Sequence, residues 1–172
     1  MIDIPADTKR PEVFSRVQGV LDDLGLRIDT YDDTRPWGGY YVIVESQADL
    51  FIRTFFPHLG MDDFRGFKKL SPKILMVAPG KRLSWQYHHR RSEIWKVIGG
   101  SAVIAISDTD EEKEADETGP GMVIEIEQGQ RHRLIGTGEW GVIAEIWRHT
   151  DPKNPSDEND IVRLKDDFGR HG

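Results

Sequence analysis

The pattern of apolar and polar positions divides the chain into a helical beginning and a β-rich body. Over residues 11–26, PEVFSRVQGVLDDLGL, Val13, Val17, Val20, Leu21 and Leu24 recur at helical spacing, and Gly25 is placed to end the turn. This predicts an amphipathic helix lying against the outside of a sheet. The cluster Arg35-Pro36-Trp37-Gly38-Gly39 then breaks the chain before a β-type run from Tyr40 to Val44. Ser46 and Asp49 have the spacing of a capping box, and Ala48, Phe51, Ile52 and Phe55 follow a helical stripe until Pro57. A second short helix is therefore expected over residues 47–56, with its aromatic side chains in the core and a lid over a barrel mouth as the alternative.

From Phe67 onward, short apolar runs alternate with Gly and Pro turns at roughly ten-residue spacing, the sign of an antiparallel sandwich or barrel. Strands are expected at 73–77, 82–88, 94–98, 102–107, 122–126, 132–135 and 142–147, with Gly99-Gly100 as a tight hairpin signal. The body is thus all-β. Residues 108–120, DTDEEKEADETGP, lack apolar anchors and read as a solvated loop without chemistry. The segment over about 150–172 is polar and Pro-interrupted, and its composition describes a mobile tail with one apolar patch at Ile161, Val162 and Leu164. A chain of 172 residues can bury one good core, so a single domain over 1–172 is expected.

Composition narrows the chemistry. The chain has no cysteine, which excludes a disulfide framework, a thiolate zinc site and a thiol nucleophile; any metal must take nitrogen and oxygen ligands. A net charge of -7 argues against general nucleic-acid binding but leaves small anionic ligands open. The opening MIDIPADTKR has no apolar signal region, and no run approaches the roughly 20 apolar residues of a membrane span. A cytoplasmic enzyme or binding protein without membrane contact is expected, and exposed strand edges with the Phe-rich early segment are compatible with a homodimer.

The candidate chemistry is concentrated in GKRLSWQYHHRRSEIWKVIGG, from Gly80 to Gly100. Gln86 and His88 are two apart, so on a strand they share a face, and Glu93 can return to them from the next strand. His132, in GQRHRL, is a fourth candidate from a second hairpin. Taken singly, Gln86 reads as a hydrogen-bonded core amide and His132 as a barrel histidine; as a set they read as a metal site. Glu145 sits in the apolar run GVIAEIW, where an inward carboxylate is costly unless paired or used, and burial would raise its pKa toward the working range of a general base. Lys96 alternates with Trp95 and Val97 and so points away from Glu93. Arg91, Arg133, Arg163 and Arg170 are candidate phosphate-binding or structural arginines.

These residues carry a resemblance. Gly80, five residues, Gln86-x-His88, four residues, Glu93, six residues, Gly100 is similar to the first cupin motif with Gln in place of the first His. Gly121, five residues, Glu127-x-Gly129, two residues, His132, three residues, Gly136 is similar to the second, with Glu127 where Pro is usual and Gly136 where Asn is usual. The stretch PGKRLSWQYHHRRSEIWKVIGGSA resembles that of type II phosphomannose isomerases, as do RPWG at Arg35 to Gly38 and NDIVRLKDDFGR at Asn159 to Arg170. The resemblance implies a cupin barrel, a double-stranded β-helix or jelly roll, with one or two N-terminal helices. It implies a metal-dependent sugar-phosphate aldose-ketose isomerase of the mannose 6-phosphate type, with a sugar phosphate as its partner. One divalent metal would be held by Gln86, His88, Glu93 and His132; zinc is the first expectation, and manganese, iron, cobalt or nickel also suit the ligands. Glu145 and Arg163 are then the expected catalytic residues, and Arg91, Arg133 and Arg170 the expected substrate-binding ones. Two departures bear on the substrate: Arg90 stands where the family commonly has a third consecutive His, and Ile94 where another His often follows the Glu. The alternatives are a non-catalytic cupin that binds a sugar or nucleotide sugar, and an iron-dependent cupin dioxygenase. The Gly-rich nucleotidyltransferase signature is not seen, so guanylyltransferase activity is not implied.

Overall fold

The computed structural model describes residues 1–171 except 65 and 68. Helix α1 (Arg10–Asp23) starts with Pro in its first turn and buries Val13, Phe14, Val17 and Leu21. It ends earlier than the apolar stripe suggests: Leu24 is the C-cap and is exposed, and Gly25 takes φ +72°, which glycine adopts without strain. Strands β1 (Ile28–Asp32) and β2 (Gly38–Ile43) follow, then α2 (Ala48–Phe55). No side chain caps α2, so the expected capping box is absent; Asp49 instead pairs with Arg53 at 2.9 Å, one turn on.

The body contains β3 (Lys73–Val77), β4 (Trp85–Tyr87), β5 (Arg91–Gly99), β6 (Ala102–Ser107), β7 (Glu117–Thr118), β8 (Val123–Ile126), β9 (Arg131–Gly136), β10 (Gly141–His149) and β11 (Val162–Lys165). They form two antiparallel sheets, ordered β1-β2-β3-β10-β5-β8 and β11-β4-β9-β6-β7. The expected strand at 82–88 is shortened to β4. Arg82 still bridges Ile135, and Gln86 pairs with His132, so four steps along one chain match three along the other. That extra residue is a bulge, and it leaves Gln86 beside His132.

Strand parity explains the layers. Ile74 and Met76 of β3, Ile94 and Ile98 of β5, and Val142, Ala144 and Ile146 of β10 share one apolar cluster with Val13, Phe14, Val17, Leu21, Phe51 and Phe55. Even-numbered positions of β3, β5 and β10 therefore lie under the helices, and the aromatic residues of α2 are core. Odd-numbered Leu75, Val77, Trp95, Val97 and Ile143 pack instead with Ala102, Ile104 and Leu134 of the smaller sheet. The interior between the sheets is thus apolar at one end. Further along the same faces come Lys73, Glu93, Glu145 and Trp147, which register places side by side: Lys73 opposite Glu145, and Glu93 opposite Trp147. The polar site is the other end of the same barrel. Lys96, of opposite parity, donates to the Phe55 carbonyl at 2.7 Å and faces away from it, as expected.

Two segments are more ordered than their composition suggests. The acidic stretch is tied down by Glu112, which accepts from Arg133 at 2.9 and 3.0 Å, and it contributes β7. The tail is docked, not mobile: β11 pairs with β4, and Asp160 is buried. The Asp160 carboxylate accepts from the backbone N–H groups of His89 and Arg90 at 3.0 Å each and from Ser156 Oγ at 2.6 Å. Arg90 joins the same anchor, donating to Asn154 and Pro155 and pairing with Asp157 and Asp160. Where the resembled family commonly has a third His, this chain thus has a tether for the tail. Among the described residues, no helix is long and apolar enough to cross a membrane.

Asp160→Ala removes three hydrogen bonds to a buried carboxylate and leaves their donors unpaired, so it should destabilise the protein by about 2–4 kcal/mol. Urea unfolding with limited proteolysis of the tail measures this; unchanged stability and resistance would refute the anchoring role.

Candidate metal centre and cavity

Three buried side chains converge at the polar end: His88, after β4, Glu93 on β5 and His132 on β9. Their ligand atoms lie within 4.8 Å of one another, so the group could hold a metal ion. Gln86 is buried on the strand beside them, in register with His132, and its Oε1 accepts from Ser84 Oγ. Three of the four expected ligands thus converge from the two sheets, and Gln86 is the strand neighbour of one of them, His132.

The hydrogen bonds fix the tautomers. Nδ1 of His88 lies 2.6 Å from the Asp160 carbonyl oxygen, and Nδ1 of His132 lies 3.0 Å from that of Gln130. A carbonyl oxygen can only accept, so both Nδ1 atoms carry protons and both Nε2 atoms present lone pairs. Burial lowers the His88 pKa to about 3 and lowers that of His132 as well, so both rings are neutral. Burial would push Glu93 up, but the Arg91 guanidinium on its Oε1 holds the carboxyl below its usual range and ionised. Two neutral imidazoles and a carboxylate are the donor set of a divalent cation. Glu93 Oε2 and His132 Nε2 lie 3.5 Å apart, fully buried, with no hydrogen-bond partner among the described residues. Two facing acceptors without a donor form a site of the kind a cation satisfies. The residues fit a metal.

Glu93 and Gln86 also line a cavity of about 340 Å³, together with Arg91, Glu145, Trp147, Arg35, Arg163 and Arg170. Glu145 is buried and accepts from Trp95 Nε1 at 3.0 Å. Burial raises its pKa to about 8, with the Glu93 charge adding to the effect and Lys73 and Arg91 opposing it. Its alternative reading as one half of a salt bridge is not what the structure holds: among the described residues it has no ion pair within 4.0 Å. Arg170 lines the cavity but pairs with Asp166 at 2.5 Å, and Arg35 pairs with Asp32 at 2.9 Å. Arg163 has no carboxylate partner among the described residues, and its Nε has no acceptor. Burial, then the Arg170 charge, lowers its pKa, as expected of a cation with surplus positive charge around it.

Arg133 does not reach the cavity. It neighbours His132 on β9, so parity turns it to the opposite face, where Glu112 and the Lys165 carbonyl bind it. Its placement as a substrate ligand is corrected to a structural one. Conversely, Lys73, Arg35 and Trp147 line the cavity and were not singled out. Lys73 has a signal in the sequence: it is a charge at the head of the apolar run KILMV, as Glu145 is a charge within GVIAEIW, and it shares parity with Leu75 and Val77. It pairs with Glu158 of the tail and lies 4.0 Å from the centre of the Trp147 ring.

Comparison with known proteins follows this geometry. The family model described as mannose-6-phosphate isomerase C-terminal matches residues 54–166. The mannose-1-phosphate guanylyltransferase ManC of Salmonella typhimurium is 28% identical over 139 residues, 79% of this chain and 22% of its own length. The xanthan biosynthesis protein XanB of Xanthomonas campestris pv. campestris is 29% identical over 137 residues, 79% of this chain and 23% of its own. The chain thus spans less than a quarter of the length of these curated relatives. Among solved structures, Bacillus subtilis oxalate decarboxylase is similar with a TM-score of 0.55 at 18% identity, over 79% of this chain and 30% of that one. The capsular polysaccharide assembling protein CapF from Staphylococcus aureus has a TM-score of 0.51 at 16% identity, over 81% and 34%. At such identities these likenesses speak for the fold alone, which is the expected all-β cupin barrel with N-terminal helices.

The pKa of Glu145 has a stability consequence. The unfolded chain releases this proton near the ordinary 4.5 and the folded protein near 8, so folding takes up a proton between them and stability falls as pH rises through that window. Glu145→Gln keeps an acceptor for Trp95 and removes the penalty. In chelator, it should be more stable than the parent by on the order of 3 kcal/mol at pH 8 and by little at pH 4.5. Equal pH slopes in urea unfolding would contradict the burial argument.

Proposed function

The chain belongs to the mannose-6-phosphate isomerase C-terminal family, and on that premise we propose that it is a metal-dependent sugar-phosphate aldose-ketose isomerase of the mannose 6-phosphate type. The observation that carries the reading is one cavity whose lining holds Glu93 and Gln86 of the candidate metal group, the Glu145 carboxyl with its pKa raised to about 8, and the Arg163 guanidinium, which has no carboxylate partner among the described residues.

The reaction moves a proton between C1 and C2 of an open-chain sugar through an enediol. It needs a base, stabilisation of the developing oxyanion and a hold on the phosphate. Gln86, His88, Glu93 and His132 would hold the divalent ion, with zinc as the first expectation. When bound, the ion would act as a Lewis acid toward the sugar oxygens. Glu145 serves as the base. At neutral pH a fraction of it is ionised and can accept the C2 proton, and the acid so formed can return it to C1. Trp95 Nε1 holds Oε1, which orients the carboxyl and leaves Oε2 to carry the proton. Arg163 supplies the fixed charge for the phosphate, because Arg35 and Arg170 are already balanced by Asp32 and Asp166. Arg170 and Arg35 then add field and shape without being primary ligands.

Metal-loaded protein assayed on a panel of aldose and ketose phosphates should interconvert mannose 6-phosphate and fructose 6-phosphate or a close analogue. Glu145→Gln should lower kcat by about 10²–10⁴ with little change in KM. Arg163→Gln should act mainly on KM, and His132→Ala should weaken metal binding by about 100-fold or more. Tight sugar-phosphate binding without turnover on any member of the panel would end the isomerase reading in favour of a sugar-binding cupin.

A further inference from the structure

Arg91 holds an unusual place in this cluster. Its Nε donates to Glu93 Oε1 at 2.7 Å and its Nη2 lies 3.1 Å from His88 Nε2. On the other side, Nη1 donates to Ser156 Oγ at 2.9 Å and to the Asp157 carbonyl at 3.1 Å. The guanidinium is buried and stacks 3.5 Å from the centre of the Trp147 ring. A guanidinium can only donate, so the bond to His88 uses the lone pair of Nε2. That is the only lone pair His88 has to give, since Nδ1 is protonated toward Asp160. One lone pair serves a hydrogen-bond donor or a metal ion, never both. The other half of the cluster is different: Glu93 Oε2 and His132 Nε2 have no donor among the described residues.

We propose that Arg91 is a built-in competitor for the divalent ion, a fixed cation bonded to Glu93 and His88 that must release His88 before its Nε2 can coordinate. This inference rests on the metal-centre reading above. Arg91 has two opposed effects. It supplies counter-charge to the buried Glu93 carboxylate, so the metal-free centre stays folded. It also repels a second cation at close range and holds one of its ligands, so it lowers metal affinity below what the same ligands would otherwise reach. Metal uptake thereby becomes sensitive to the tail, because Ser156 and Asp157 hold the guanidinium in place.

The test is calorimetric titration of the chelator-stripped full chain with Zn²⁺ and Mn²⁺, together with thermal unfolding of the metal-free forms. Arg91→Gln should bind Zn²⁺ about tenfold or more tighter than the parent while its metal-free form unfolds at a lower temperature. Arg91→Lys, whose single ammonium cannot span both acceptors as a planar guanidinium does, should also bind tighter, by a smaller factor. It decides the matter if the Gln variant does not fold. Metal affinity equal to or weaker than the parent's in these variants overturns the proposal and makes Arg91 a residue that only orients Glu93. Absence of divalent-ion binding in the parent and in both variants instead refutes the metal centre itself, and the proposal with it.

Discussion

A fully buried carboxylate is the constraint on which the rest of this structure depends. Glu93 lies between the Arg91 guanidinium and two imidazoles, at a depth where an uncompensated charge would be untenable. Everything that surrounds it is arranged to keep it ionised and in place. Arg91 donates to Oε1, Asp160 and Gln130 fix the two imidazoles with their lone pairs inward, and the tail closes over the group from outside. Glu145, in the same interior, lacks such a cation at contact distance, and burial leaves it with a pKa near 8. Two carboxyls on neighbouring strands thus have opposite character. One is fixed as an anion suited to a ligand, the other poised to take and give a proton: Arg91 is in contact with Glu93 alone, and the Glu93 charge adds to the burial that pushes Glu145 up.

Much of this was legible in the chain because it follows parity and spacing. Gln86 with His88, the return to Glu93, and His132 on a later strand are placed by the two-residue period, and the structure joins them through the Gln86–His132 register. Glu145 was legible as a carboxyl inside the apolar run GVIAEIW. Parity could have gone further in two places: it puts Lys73 inside, and it puts Arg133 outside, because a residue adjacent to an inward His on a strand must face outward.

What was not legible depends on contacts across long separations. The tail reads as mobile because its apolar content is low, yet β11 pairs with β4 and the Asp160 carboxylate accepts from backbone groups about seventy residues earlier. The acidic stretch reads as solvated because its composition hides the one residue, Glu112, that meets a buried arginine. Gly136 is a related case. It departs from the usual Asn, and a Cβ there would lie 2.1 Å from the Ala78 carbonyl oxygen, so the close approach of this strand end to the chain after β3 accounts for the glycine. None of these pairings leaves a local periodicity.

The central claim is that the polar end of the barrel is a divalent-cation site. Anomalous diffraction from crystals of the metal-loaded protein tests it most directly. One strong anomalous peak is expected, bounded by His88 Nε2, Glu93 and His132 Nε2 and within reach of Gln86. No peak there at full metal loading, with the Arg91 guanidinium still bonded to His88 and Glu93, would contradict it.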